Sequence, residues 1–147
     1  MTQEMNRLGL LFHHLGLAVK TPEIAERFLA GLGYSVEPRI YDPLQNVWLG
    51  MSRHPNMPAV EIISPGSAGG PLDKLLKTHE EGLVYHMCYR CGDLRATLGA
   101  IEGMEGMRLS CVSSPKAAVL FDGMLVSFYS VKGMGLIEII EDPSMAL

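Results

Sequence analysis

At 147 residues, with 48% hydrophobic and 19% charged side chains, the chain has the apolar content of a folded domain and too little charge for a disordered one. A formal net charge of −4, with lysines and arginines scattered rather than gathered into a stripe, argues against nucleic acid as a partner. No apolar run approaches the roughly 18 residues of a membrane span, and Met1–Arg7 lacks the charged-then-apolar layout of a signal peptide. The expectation is a cytoplasmic protein that does not enter a membrane.

In chain order, Leu11 to Val19 reads as a first strand. Thr21 is placed to cap a helix that has Pro22 at its first position. Ile24, Phe28, Leu29 and Leu32 then recur at helical spacing, and Gly31 and Gly33 end that helix. Tyr34–Val36 begins a second strand, Asn46–Met51 a third and Ala59–Ile63 a fourth, with a turn at His54–Pro58. Ser64 to Pro71, rich in serine, glycine and proline, separates the halves, and a short helix runs from Leu72 to about Thr78.

The order then repeats. Leu83–Arg90 is a strand, Asp93 caps a helix through Leu94, Leu98 and Ile101, and the helix ends at Gly103 or Gly106. Arg108–Val112 is a strand, Pro115 breaks the chain, and Ala117–Phe121 meets the hairpin signal Asp122-Gly123. Leu125–Val131 follows, and Lys132-Gly133 turns the chain into a last strand around Glu138. The single domain thus divides into one module of about 11–64, a linker of 65–82 and a second module of about 83–141. A duplication of this kind is the organising feature of the sequence.

Two apolar runs each hold one carboxylate: Ala59-Val60-Glu61-Ile62-Ile63 and Gly135-Leu136-Ile137-Glu138-Ile139-Ile140. A buried carboxylate needs a partner, a proton or a metal. Superposing the halves also places His14 on His86, the longer second interval fitting a loop insertion around Ser113-Ser114-Pro115. Two imidazoles and two carboxylates suit a borderline divalent ion, namely zinc, cobalt, nickel, manganese or iron(II), better than calcium or magnesium. Alternation sets His14 on a face with Gly16 and Ala18, and His86 with Cys88 and Arg90, where Arg90 is available to an anionic group. Cys88 and Cys91 fall on opposite faces, which disfavours a shared zinc site or disulfide; with Cys111 they read as small core residues.

His14-Leu15-Gly16-Leu17-Ala18-Val19, Val60-Glu61-Ile62-Ile63-Ser64-Pro65, Gly82-Leu83-Val84-Tyr85-His86-Met87 and Leu136-Ile137-Glu138-Ile139-Ile140-Glu141 stand in an order that resembles the vicinal oxygen chelate superfamily, the glyoxalase, bleomycin-resistance and extradiol-dioxygenase group. Within it the chain is similar to the methylmalonyl-CoA epimerases. The resemblance covers about Phe12 to Glu141. It implies an α+β fold of two tandem βαβββ modules, each a curled mixed sheet, forming a cleft with a metal ion inside. It puts the family ligands on His14, Glu61, His86 and Glu138, His13 pointing to the other face of its strand.

One position departs from the family. Epimerases carry a glutamate, proposed as a proton-transfer base, just before a Gln-Gly-Val segment; here the segment is Gln45-Asn46-Val47 and the preceding residue is Leu44. The remaining bases are Glu61, Glu138 and Asp42. The expected function is a metal-dependent epimerase or isomerase that stabilises an enolate, acting on a carbonyl compound or an acyl thioester such as an acyl-CoA. The alternatives are a glyoxalase-type lyase, or a non-catalytic small-molecule binder of the antibiotic-sequestering type. Relatives commonly pair, so a homodimer is expected. Trp48, Met51 and Phe128 are the candidates for lining the cleft, and Tyr89 and Tyr129 are either cleft or core aromatics.

Overall fold

The computed structural model describes residues 6–67 and 69–145. In chain order the elements are β1 (Leu11–Ala18), α1 (Glu23–Gly31), β2 (Ser35–Val36), β3 (Ile40–Asp42), β4 (Val47–Arg53), β5 (Ala59–Pro65) and α2 (Pro71–Thr78). There follow β6 (Leu83–Cys91), α3 (Leu94–Glu102), β7 (Leu109–Ala117), β8 (Leu125–Val131) and β9 (Gly135–Glu141). The protein is α+β, with mixed parallel and antiparallel strand pairing. No helix among the described residues is long and apolar enough to cross a membrane.

The described residues form two compact units, one within 14–85 and the other of 6–13 together with 86–145. Both obey the same pairing rule. In the first, β1 pairs parallel with β5, β5 antiparallel with β4, and β4 antiparallel with both β2 and β3. In the second, β6 pairs parallel with β9, β9 antiparallel with β8, and β8 antiparallel with β7. First and last strands of each module are therefore neighbours, which a helical crossover between them permits.

Alternation then sorts the side chains. In the first unit Val60 and Ile62 of β5 pack with Leu29 and Tyr34, and Leu17, Val19 and Ala25 close over them. In the second, Ile137 and Ile139 of β9 pack with Leu10, Cys91, Ile101, Tyr129 and Val131. Asp93 caps α3 as its sequence requires, its carboxylate accepting from the Ala96 amide at 3.1 Å. Asp122 (φ 52°) and Gly123 (φ 77°) are both left-handed in the turn before β8, the conformation for which Asp-Gly is suited.

Four local expectations are corrected. Pro22, not Thr21, is the N-cap of α1: the Pro22 carbonyl accepts the first helical bond, from the Glu26 amide at 2.9 Å, and no side chain caps the end. The inward side of α1 is the buried Leu29 with the half-buried Ala25, whereas Ile24, Phe28 and Leu32 are exposed. In this orientation Glu26 reaches the Arg39 guanidinium at 2.8 Å. The first module contains a strand beyond the four expected, β3, between β2 and β4 in the chain. Lastly, Pro115 does not break the chain but lies within β7, where the ladder to β8 slips register between Cys111 and Ser113 and between Ser113 and Lys116. An outer strand with bulges tolerates a residue lacking its amide hydrogen.

Candidate metal centre

In the first unit Glu61 stands opposite Gly16 in the parallel ladder, so His14 lies two residues before Glu61's partner. In the second, Glu138 stands opposite Cys88, and His86 lies two residues before it. The offset is identical. It carries each imidazole to the same place beside its carboxylate: His14 Nε2 to Glu61 Oε1 is 3.5 Å, and His86 Nε2 to Glu138 Oε1 is 3.5 Å. The residue directly facing each glutamate is small, glycine in one half and cysteine in the other, which leaves space for both side chains. All four are buried: His14 0%, Glu61 2%, His86 2% and Glu138 4% exposed.

Charged groups are rarely sunk this deep unless something offsets the lost hydration. Two ligands bonded to one ion at about 2.0–2.2 Å and a tetrahedral angle are ~3.4 Å apart. A separation of 3.5 Å within each pair therefore fits ligands to a shared cation, and imidazole with carboxylate is a donor set for a borderline divalent metal. The His13 ring lies edge-on to Phe121, with centroids 5.4 Å apart.

The second antiparallel neighbour of each glutamate is also matched. Met51 faces Glu61 from β4 and Phe128 faces Glu138 from β8, so both belong to the ligand-bearing face. The Phe128 ring meets the His86 imidazole edge-on, with centroids 5.4 Å apart and planes at 82°; such a contact holds the ring's orientation and is worth about 0.5–1.5 kcal/mol. Trp48 pairs with Ser64, lies on the other face of its sheet and packs on Tyr41 at 5.2 Å. Tyr89 and Tyr129 alternate away from Glu138, pack with the second unit's core, and have their phenols pushed up chiefly by burial.

Asp42 is on β3 rather than on an extension of β4. It pairs with Val47 and is buried, and its carboxylate accepts from the Leu44 amide at 2.9 Å and the Gln45 side chain at 3.2 Å. Val47 is four residues along β4 from Met51, so Asp42 is ~13 Å from the Glu61 row. Leu44 is in the turn between β3 and β4, 69% exposed. Phe128's edge-on contact with His86 was the one least visible in sequence; its one signal was a place in β8 matching that of Met51 in β4.

The model of the Glyoxalase/Bleomycin resistance protein/Dioxygenase superfamily matches residues 13–128. Among solved structures, methylmalonyl-CoA epimerase from Mycobacterium tuberculosis is similar at 20% identity and a TM-score of 0.70, over 92% of this chain and 90% of that one. A hypothetical protein from Bacillus halodurans C-125 gives 18% and 0.73, over 90% and 94%. A variant of Streptomyces coelicolor methylmalonyl-CoA epimerase in complex with 2-nitronate-propionyl-CoA gives 20% and 0.66, over 89% and 96%. At these identities the likeness is one of fold. No curated protein sequence matches.

Proposed function

Because the chain belongs to the glyoxalase/bleomycin resistance protein/dioxygenase superfamily, we propose that it is a metal-dependent epimerase or isomerase of a carbonyl compound, with an acyl thioester as the favoured substrate. The observation that carries the reading is the pair of buried imidazole–carboxylate contacts, set at one register offset in both modules. His14, Glu61, His86 and Glu138 are proposed to hold one divalent ion together. That ion supplies Lewis acidity, polarising the substrate carbonyl and stabilising the charge that develops when an α-proton leaves.

The protein's own part is proton transfer. As the α C–H bond breaks, its electron pair moves into the carbonyl and the proton goes to a carboxylate oxygen of Glu61 or Glu138. Return of a proton from the other of these two groups, in its carboxylic acid form, to the opposite face of the carbon inverts the centre, and the two exchange protonation states. Glu61 and Glu138 are favoured over Asp42 because the Asp42 carboxylate is held by its turn and set well along the sheet. Burial of all four ligand side chains keeps bulk water away from the carbanion. The two epimerase structures, one of them holding an acyl-CoA analogue, support the thioester.

A glyoxalase-type lyase is the second reading. It is favoured by an exposed leucine where epimerases carry a base, since a proton shuttle through ligand carboxylates alone suffices for that chemistry.

The test is deuterium wash-in at the α-carbon, followed by NMR, for a panel of acyl-CoA thioesters and α-keto hemithioacetals. Protein loaded in turn with cobalt, nickel, manganese and zinc is compared with a Glu138→Gln variant. Exchange with at least one substrate, lowered by about 10²-fold or more in the folded variant, is expected. Folded, metal-loaded protein that exchanges none of the panel would overturn the enzyme reading in favour of a ligand-binding one.

A further inference from the structure

The register of the second unit defines rows of residues across its ligand-bearing face. One row is Cys88, Glu138, Phe128 and Ser113. The next row toward the end of β6 is Arg90, Ile140, Val126 and Lys116. Two residues of strand separate the rows, or roughly 7 Å. Ile140 and Val126 form a buried apolar floor, with a cation at either end. The row carries no carboxylate of its own.

Arg90 is only partly committed. Its Nη1 donates to Asp142 Oδ2 at 3.3 Å, a long contact for a charged pair. The other oxygen of Asp142 is taken by Ser144, whose amide and hydroxyl donate at 3.0 and 2.7 Å. Those Ser144 bonds, more than Arg90, hold the Asp142 carboxyl below its ordinary value. Arg90 Nε is buried and has no hydrogen-bond partner among the described residues, although the side chain as a whole is 36% exposed. A guanidinium has five N–H donors in a planar fork, and the Nε–Nη2 edge is the one that receives an oxyanion in two parallel bonds. Asp142 holds the opposite side of the fork, so the donor left without a partner, Nε, lies on the edge turned away from it.

We propose that Arg90 is the specificity-determining residue of an oxyanion subsite, which receives an anionic group of the substrate one row away from Glu138. This rests on the enzymatic reading of the His86–Glu138 pair. The spacing suits a charged group carried within a few bonds of the reacting carbon: one row of roughly 7 Å is spanned by a short acyl chain. A carboxylate on the acyl portion and a phosphate on its carrier offer the same chemistry. Lys116, exposed at the far end of the row, adds long-range attraction.

The experiment follows the arginine Nε–Hε signals of protein labelled with ¹⁵N-arginine during titration with malonate, inorganic phosphate or neutral malonamide. The Arg90 signal, assigned by its absence from Arg90→Met, is expected to shift saturably with an anion and not with malonamide. Binding of that anion should weaken by about 10-fold or more in Arg90→Met, and less in the charge-retaining Arg90→Lys, which also controls for folding. Preference for malonate assigns the acyl carboxylate; preference for phosphate assigns the carrier. An Arg90 signal that moves with neither anion, or equal anion affinity in parent and Arg90→Met, overturns the subsite. Metal content measured on the same samples separates the two readings. Full metal with a silent Arg90 removes the subsite alone. Metal-free protein with a responding Arg90 removes the metal reading alone.

Discussion

Ile139 and Glu138 are sequence neighbours on opposite faces of β9, so one substitution at each should separate stability from metal binding. Ile139 is 0% exposed and packs in the core of the second unit with Cys91, Ile101 and Tyr129. Ile139→Ala removes three carbons, about 0.8 kcal/mol each in lost transfer free energy, or ~2.4 kcal/mol. The cavity left in a close-packed site brings the expected cost to about 3–4 kcal/mol. For a chain of this length that lowers Tm by roughly 6–16 °C, at ~2–4 °C per kcal/mol. Urea titrations in the presence of a chelator read this loss without any contribution from metal, and elemental analysis of the folded variant should find metal at the parent's level. Glu138→Gln keeps the side chain's shape and should do the reverse, losing metal while its chelated stability stays near the parent's. The reasoning fails if Ile139→Ala lies within about 1 kcal/mol of the parent, or if the folded variant loses its metal. Either result would mean that the two side chains do not face opposite ways.

Two smaller predictions follow from groups away from the metal centre. The Ser52 hydroxyl is fully buried with no hydrogen-bond partner among the described residues, so Ser52→Ala should raise the urea midpoint, by about 1 kcal/mol of stability; a loss of that size would show that the hydroxyl is satisfied. Burial, with the charge of Glu141 adding to it, pushes the Cys91 thiol up to about 11; Cys88 is buried on the other face of β6, whereas Cys111, expected in the core, is exposed on the outer strand β7. Since the thiolate is the nucleophile and forms only as pH rises toward the pKa, iodoacetamide at pH 8 should modify one thiol per folded chain, at Cys111. Modification of two or three thiols without unfolding would contradict that.

Much of the architecture was legible because strands alternate: a period of two in β5 and β9 puts Val60 and Ile62, or Ile137 and Ile139, on one face and the glutamate on the other, both faces being buried. The repeat of a histidine strand and a glutamate strand also identified which residues to compare. What sequence could not supply was register, and with it the finding that His14 and His86 sit at one offset from their glutamates. β3 escaped notice because three residues between Arg39 and Pro43 are too few to display alternation. The rotation of α1 was hidden because Ile24, Phe28 and Leu32 are a regular apolar stripe, yet the helix packs through Ala25 and Leu29 and leaves that stripe exposed. Pro115 signalled a break because the rule against proline applies to central strands, and nothing local says that β7 is an outer one.

The bulged, proline-bearing course of β7 bears on how copies of the molecule meet. β7 is the outer strand beyond β8, and its two register slips with Pro115 between them interrupt the row of amides and carbonyls that another strand needs as a template. On the outer side of the first unit β4 is covered by β2 and β3, of only two and three residues, which offer a second strand almost no length to pair with. Both margins thus resist growth of the sheets by strand addition. Crowded copies of this chain should stay dispersed rather than polymerise edge to edge, and any regular self-association is left to side-chain faces.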